Sequence, residues 1–155
     1  MFDAPPDRTA ALPLAPDDLA LIEAARAVLL AHYRPFWHTV AAAIRGRDGR
    51  IWTGIHLGAT VGRLSVCAEA VAFGRAVLEG DGSIATAVAL RHPKPEETGR
   101  PVAVVAPCGA CREMMADYAP DAWVIVPAPL DPSGTVPAAA VKVPVAALLP
   151  MPYQR

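Results

Sequence analysis

The stretch Ala106–Met115, APCGACREMM, sets two cysteines three residues apart directly behind a proline. A third cysteine lies far upstream in Ser65–Phe73, SVCAEAVAF, two residues before a glutamate. The 155-residue chain has no other cysteine. Three thiols cannot close into a complete disulfide set, which points to a reducing compartment, the cytoplasm. Three is also the number of protein ligands that a catalytic zinc ion takes when its fourth position is left for water.

Both cysteine segments read as strand-to-helix junctions. The run PVAVVAP has strand character and leads into Cys108, and ACREMMADYA can form a helix that breaks before Pro120. Around Cys67, the residues Val66, Ala70, Phe73 and Val77 follow helical spacing, and Gly80 and Gly82 stop the helix. At a helix N-terminus, unpaired N–H groups and the macrodipole favour a thiolate. Cys108 and Cys111 lie one helical turn apart, close enough to share an ion. Glu69, two residues past Cys67, is placed to move protons for a zinc-held water, whose pKa falls to about 7 from 15.7 in bulk.

The rest of the chain supplies a frame for this pair of junctions. Residues 1–16 carry four of the 17 prolines and read as a loose arm before a single domain over 17–155. Asp17 or Asp18 caps a first helix with Leu19, Ile22, Leu29, Leu30 and Tyr33 close to one apolar face, ending at Pro35. HTVAAAIRGRDGRIWTGIHLG reads as two strands about an Asp-Gly turn. IATAVAL suits a buried strand, and WVIVPA, the turn DPSG and TVPAAAVKV form a terminal hairpin before a short helix, VAALLP. The order implies helices packed on a mixed sheet. Phe73, Met114 and Met115 are expected in the core, and Trp52 on the hairpin.

Composition narrows the partners. The chain is 54% hydrophobic and 19% charged, with a formal net charge of −1 and its basic residues scattered singly. No basic face for a phosphate backbone is visible, so a small molecule is expected rather than a nucleic acid. No apolar run reaches the length of a membrane span, and the N-terminus lacks the pattern of a signal peptide.

CAE followed far downstream by PCGAC resembles the zinc-dependent cytidine deaminase family, and the likeness extends from about Asp17 through DGRIWTG to the closing LLP. The resemblance implies a three-layer α/β/α fold on a mixed five-stranded sheet, and a homotetramer or dimer. It implies Cys67, Cys108 and Cys111 as zinc ligands, Glu69 as the catalytic proton shuttle, and backbone near Ala68 facing the base. The implied reaction is hydrolytic deamination of cytidine, deoxycytidine or a related aminopyrimidine nucleoside, with release of ammonia.

The chain departs from the family pattern at the sugar end. Nucleoside-acting members read close to TGxNVENAS, where this chain reads TGIHLGATVG. His56 stands in the slot of the Asn, and Gly58 in that of the carboxylate. A carboxylate that accepts a sugar hydroxyl is worth about 1.5–3 kcal/mol, so reinstating the pair (His56→Asn with Gly58→Glu) is expected to improve handling of cytidine. His38 falls near the slot of the family's ring-facing aromatic, and Ala70 replaces an Arg that would offset the thiolate charge, with Arg75 a candidate substitute. The neutral slot resembles the blasticidin S deaminase branch, which acts on a cytosine nucleoside antibiotic with a modified sugar.

Plainer readings stand beside these. Cys67 alone is a small buried hydrophobe, Glu69 alone a solvated helix residue, and Arg112 a local cap or surface residue. A closed structural site would take a fourth ligand from His32, His38, His56 or His92. A modified cytosine nucleoside or a free amino-heterocycle is the alternative substrate, and a non-catalytic zinc scaffold the alternative function.

Overall fold

Alternate residues of VAAAIRG divide the molecule into layers. In the computed structural model, which describes residues 11–128 and 139–153, this stretch is strand β1 (Val40–Gly46). Successive side chains of a strand point to opposite faces. Ala41 and Ala43 join one buried cluster with Leu21, Ile22, Ala25 and Leu29 of helix α1 (Pro16–His32). Ala42 and Ile44 join the other, with Ala68, Ala72, Phe73 and Ala76 of α2 (Ala68–Glu79). Strand β3 (Ile84–Arg91) repeats the division, with Val88 and Leu90 toward α1, and Ala87 and Ala89 toward α2.

The expected three-layer arrangement is the one found, but the sheet has six strands rather than five. Strand β2 (Ile51–Ile55) turns back on β1 through Asp48–Gly49, where Gly49 takes the φ of +85° that the turn demands. β1 pairs antiparallel with β3. The additional strand is β4 (Ala103–Val105), held to three residues between Pro101 and Pro107. It shares one edge of β3 with β5 (Trp123–Pro127): β4 pairs antiparallel along Ala89–Arg91, and β5 parallel along Thr86–Val88. Strand β6 (Ala140–Pro144) pairs antiparallel with β5. Helix α3 (Gly109–Tyr118) follows β4 on the α2 face, and the short α4 (Val145–Leu148) closes against α3. The first ten residues and the turn DPSG lie outside the described residues.

Two helix faces differ from the sequence expectation. On α1 the buried stripe is Asp18, Leu21, Ile22, Ala25 and Leu29, whereas Leu19 and Leu30 are more than half exposed. The two leucines each sit about 100° around the helix from that stripe. On α2 the buried face is Ala68, Glu69, Ala72, Phe73 and Ala76, and Val77 points outward. Val66 precedes the helix altogether. Small alanines face the sheet because α2 lies nearly against it: a Cβ on Gly54 of β2 would collide with the Ala68 carbonyl. Phe73 and Met115 are core as expected, and Trp52 is buried on the α2 side.

Helix α1 begins earlier than expected, at Pro16, with Ala15 as its cap, two residues ahead of Asp17. Asp18 therefore stands inside the first turn, where its carboxylate accepts the Ala15 N–H at 2.9 Å. The same fully buried carboxylate takes Arg45 of β1 at 3.1 Å and Lys142 of β6 at 2.8 Å. Leu12, from the segment read as a loose arm, pairs its backbone with Lys142 in both directions at 2.8 and 3.0 Å. One acid thus joins the start of the helix to the middle and the edge of the sheet.

Burial alone would raise the Asp18 carboxyl, but Lys142, the Ala15 N–H and Arg45 outweigh it and hold it below its ordinary value. A carboxyl depressed on folding contributes stability in full above its unfolded value of about 3.9, and that contribution fades as pH falls through the lower folded value. Asp18→Asn leaves two cations facing each other and is expected to lose about 3–5 kcal/mol at pH 7. Its stability should also vary less between pH 5 and 3 than that of the wild type. Urea melts across this range check both.

Candidate metal centre and substrate site

Two helices begin at one point. Cys67 is the N-cap of α2 and Cys108 the N-cap of α3, each with extended backbone, and Cys111 lies within the first turn of α3. Their sulfur atoms lie within 4.8 Å of one another, with Cys67 and Cys108 at 3.6 Å. A tetrahedral zinc with bonds of about 2.3 Å holds its sulfurs about 3.8 Å apart, so the three fit one such ion in number, chemistry and spacing. Among the described residues no histidine, aspartate or glutamate joins the group. His32 is exposed at the end of α1 and His92 stacks on Tyr33 with ring centroids 3.6 Å apart.

The three thiols differ in their surroundings. Burial pushes Cys67 up, and the adjacent Cys108 adds to the rise. Burial and the charge of Glu69 push Cys111 up strongly. At Cys108 burial also raises, but the Cys111 backbone N–H and the two neighbouring thiols outweigh it and bring the group down. Three sulfurs this close repel one another when ionised, and a divalent cation removes that repulsion.

Glu69, in the first turn of α2, is 6% exposed. Burial raises its carboxyl above the usual range, against weaker lowering by its own N–H and the Cys111 thiol. It is a buried acid beside the sulfur cluster, outside the ligand group. Ala68, first residue of α2, is fully buried.

Arg112 holds the loop that carries Cys108. Its guanidinium donates to the Pro107 carbonyl at 2.9 Å and to that of Leu148 at 3.2 Å, tying the junction to the closing helix. In the sequence it was indistinguishable from a surface arginine, because its second partner is 36 residues away. Arg75 pairs instead with Glu79 and the Thr53 carbonyl.

The sugar-end residues meet one another. Leu57 and Val66 pair through two backbone hydrogen bonds of 3.0 and 2.9 Å, an isolated bridge between the residue after His56 and the residue before Cys67. His38 donates from Nδ1 to the His56 carbonyl at 2.8 Å, which leaves Nε2 as the acceptor of the neutral ring. Thr39 Oγ1 lies 3.4 Å from His56 Nδ1. Burial, and then repulsion from His38, lowers the His56 pKa.

Over 138 residues the chain is 41% identical to blasticidin-S deaminase from Bacillus cereus, a match that covers 89% of this chain and 93% of the relative. The chain belongs to the cytidine deaminase family. Cytidine deaminase from Burkholderia pseudomallei superposes with a TM-score of 0.66 at 29% identity, over 87% of this chain and 98% of that one. The fold is shared also with cytidine deaminase from Bacillus anthracis, with a TM-score of 0.66 at 20% identity, over 87% of this chain and 88% of that one. No family model matches the chain.

For a member of the deaminase family, Gly58 is then the instructive departure. The expectation that a glutamate here would reinstate a sugar contact fails on space. The Gly58 N–H donates to the Trp37 carbonyl at 2.8 Å, and a Cβ would stand 2.6 Å from the Phe36 oxygen and 2.9 Å from the Trp37 Cα. Both obstacles are backbone. The turn that presses on Gly58 contains Phe36 at φ +66°, a left-handed conformation that costs a bulky residue about 1–3 kcal/mol.

Gly58→Ala is expected to destabilise the chain by about 1–3 kcal/mol, since neither backbone can yield cheaply. Gly62→Ala, with nothing within 4 Å of its Cβ position, should change little. Thermal melts of the pair check the contrast.

Proposed function

We propose that the chain is a zinc-dependent hydrolase that replaces the exocyclic amine of a cytosine nucleoside with oxygen and releases ammonia. The observation that carries this reading is the convergence of three thiols to within 4.8 Å of one another with a buried carboxyl beside them. Cys67, Cys108 and Cys111 would hold the ion. Bound there, zinc supplies a Lewis acid that makes water nucleophilic near neutral pH.

The remaining chemistry belongs to Glu69. The water oxygen bonds to the amine-bearing ring carbon while its proton passes to the Glu69 carboxylate. Glu69 delivers that proton to the ring nitrogen, takes the second proton of the added water, and hands it to the amine. The carbon–nitrogen bond then breaks and ammonia leaves. A carboxyl that burial raises above its usual value suits both roles, accepting and donating within one turnover.

Cytidine and deoxycytidine fit this chemistry, and two observations favour a cytosine nucleoside with a modified sugar. The relative that is 41% identical is named for blasticidin S. The slot of the family's sugar-binding carboxylate is a glycine with no room for a side chain. His38, His56 and the backbone near Ala68 are the proposed substrate contacts, and Gly58 admits the turn that bounds them. A homo-oligomer, a dimer or tetramer, belongs to the proposal as the family resemblance implies. Three free cysteines support a cytoplasmic location, and no helix among the described residues is long and apolar enough to cross a membrane. A non-catalytic scaffold would have no use for a buried Glu69 beside the sulfurs.

Ammonia release by zinc-loaded protein, measured over cytidine, deoxycytidine, blasticidin S and free cytosine, tests the reading. Activity on at least one nucleoside is expected, with a fall of about 10²–10⁴-fold in Glu69→Ala at undiminished zinc content. Silence across the panel, or an active Glu69→Ala, contradicts it and favours the scaffold. Cys108→Ala is expected to lose both zinc and thermal stability, since metal binding couples to folding. Full zinc content in that variant would refute the ligand assignment.

A further inference from the structure

The three sulfur donors are not held equally. Cys111 is 3% exposed and belongs to the core cluster between α2, α3 and the sheet. Cys67 is half-buried and caps a helix that presses on β2 at Gly54. Cys108 is exposed, so packing does not fix its side chain. Strand β4 ends at Val105, so its ladder does not reach Cys108 either. Whatever places this sulfur must act through the main chain around it.

Arg112 grips that main chain on both sides of Cys108. Its N–H donates to the Cys108 carbonyl at 3.0 Å, closing the first turn of α3. Its side chain turns back, and Nε donates to the Pro107 carbonyl at 2.9 Å. That carbonyl shares one rigid peptide plane with the N and Cα of Cys108. The peptide units before and after the cysteine are thus tied to a single residue. The clamp is anchored in turn. Nη1 donates at 3.2 Å to the carbonyl of Leu148, the last residue of α4, where a helix leaves carbonyls without partners of its own. Leu148 packs on the cluster that contains Cys111, and Val145 of the same helix is buried in it. A planar guanidinium serves two carbonyls in fixed directions, whereas a lysine ammonium is a point charge on a flexible stem.

We propose that Arg112 is the positioning residue of the metal centre. It holds Cys108 where that sulfur completes the ligand set, and it makes the end of α4 part of the support. The proposal rests on the assignment of the three cysteines as zinc ligands. Its readout is affinity rather than turnover, so it and the deaminase reading fail separately.

Zinc dissociation constants are to be measured by chelator competition for wild type, Arg112→Ala, Arg112→Lys and Leu29→Ala, with circular dichroism showing each folded at the working temperature. Leu29, fully buried in α1 on the far face of the sheet, supplies a stability control. Arg112→Ala is expected to bind zinc about 10–100-fold more weakly. Arg112→Lys keeps the charge without the planar fork and should recover only part of that loss. Leu29→Ala should melt lower and still bind zinc as the wild type does. Cobalt-loaded Arg112→Ala should show weaker thiolate-to-metal absorption, as Cys108 drops from the ligand set. Wild-type affinity in Arg112→Ala overturns the proposal, as does an affinity that falls with melting temperature in Leu29→Ala. Full affinity in Arg112→Lys also overturns it, since charge alone would then suffice. Should Arg112→Ala fail to fold, Arg112→Lys decides by the same criterion. Wild type that takes up no zinc overturns the ligand assignment and this proposal together.

Discussion

Two helices starting at the same place is the constraint on which the site depends. The first turn of an α-helix points unpaired N–H groups outward, and here the starts of α2 and α3 bring three cysteine sulfurs to within 4.8 Å of one another. Neither start is free to move. The first is pressed on β2, where only a residue without a side chain fits at Gly54. The second is tied through Arg112 to the Pro107 carbonyl and to the end of α4. The protein prepares the sulfur geometry with sheet packing and a guanidinium, so that binding an ion need not organise it.

Such preparation has an electrostatic consequence. Three thiols and a buried carboxyl form an acidic cluster with no cationic side chain among its hydrogen-bond partners in the described residues. Arg75 and Arg112, on the two helices that begin at the cysteines, spend their donors on Glu79 and on backbone carbonyls. The positive ends of the two helices oppose the thiolates, and they weaken beyond the first turn. The cluster is a poor home for any state but one with a divalent cation.

Much of this was legible in the chain, for reasons that differ by residue. Cys67, Glu69, Cys108 and Cys111 carry scarce chemistry at short helical spacing, and the Asp48–Gly49 turn announces the first hairpin. The helix faces were less legible. α2 buries alanines, which carry little hydropathy, while its larger Val77 and Leu78 are exposed. Contacts between distant segments left no local trace at all. Lys142 meets Asp18 across 124 positions, and the main chain of Phe36 and Trp37 fills the space at Gly58 where the family pattern suggested only a missing carboxylate. His38 and His56 were both marked as departures, but that one donates to the backbone of the other is a fact of the folded state.

X-ray absorption at the zinc edge of reconstituted protein reads the ligand set of the ion. One zinc per chain is expected, with about three sulfur neighbours near 2.3 Å and about one oxygen near 2.0 Å. A shell showing the imidazole pattern of a bound histidine, or four sulfurs shared between chains, would contradict it, as would protein that takes up no zinc.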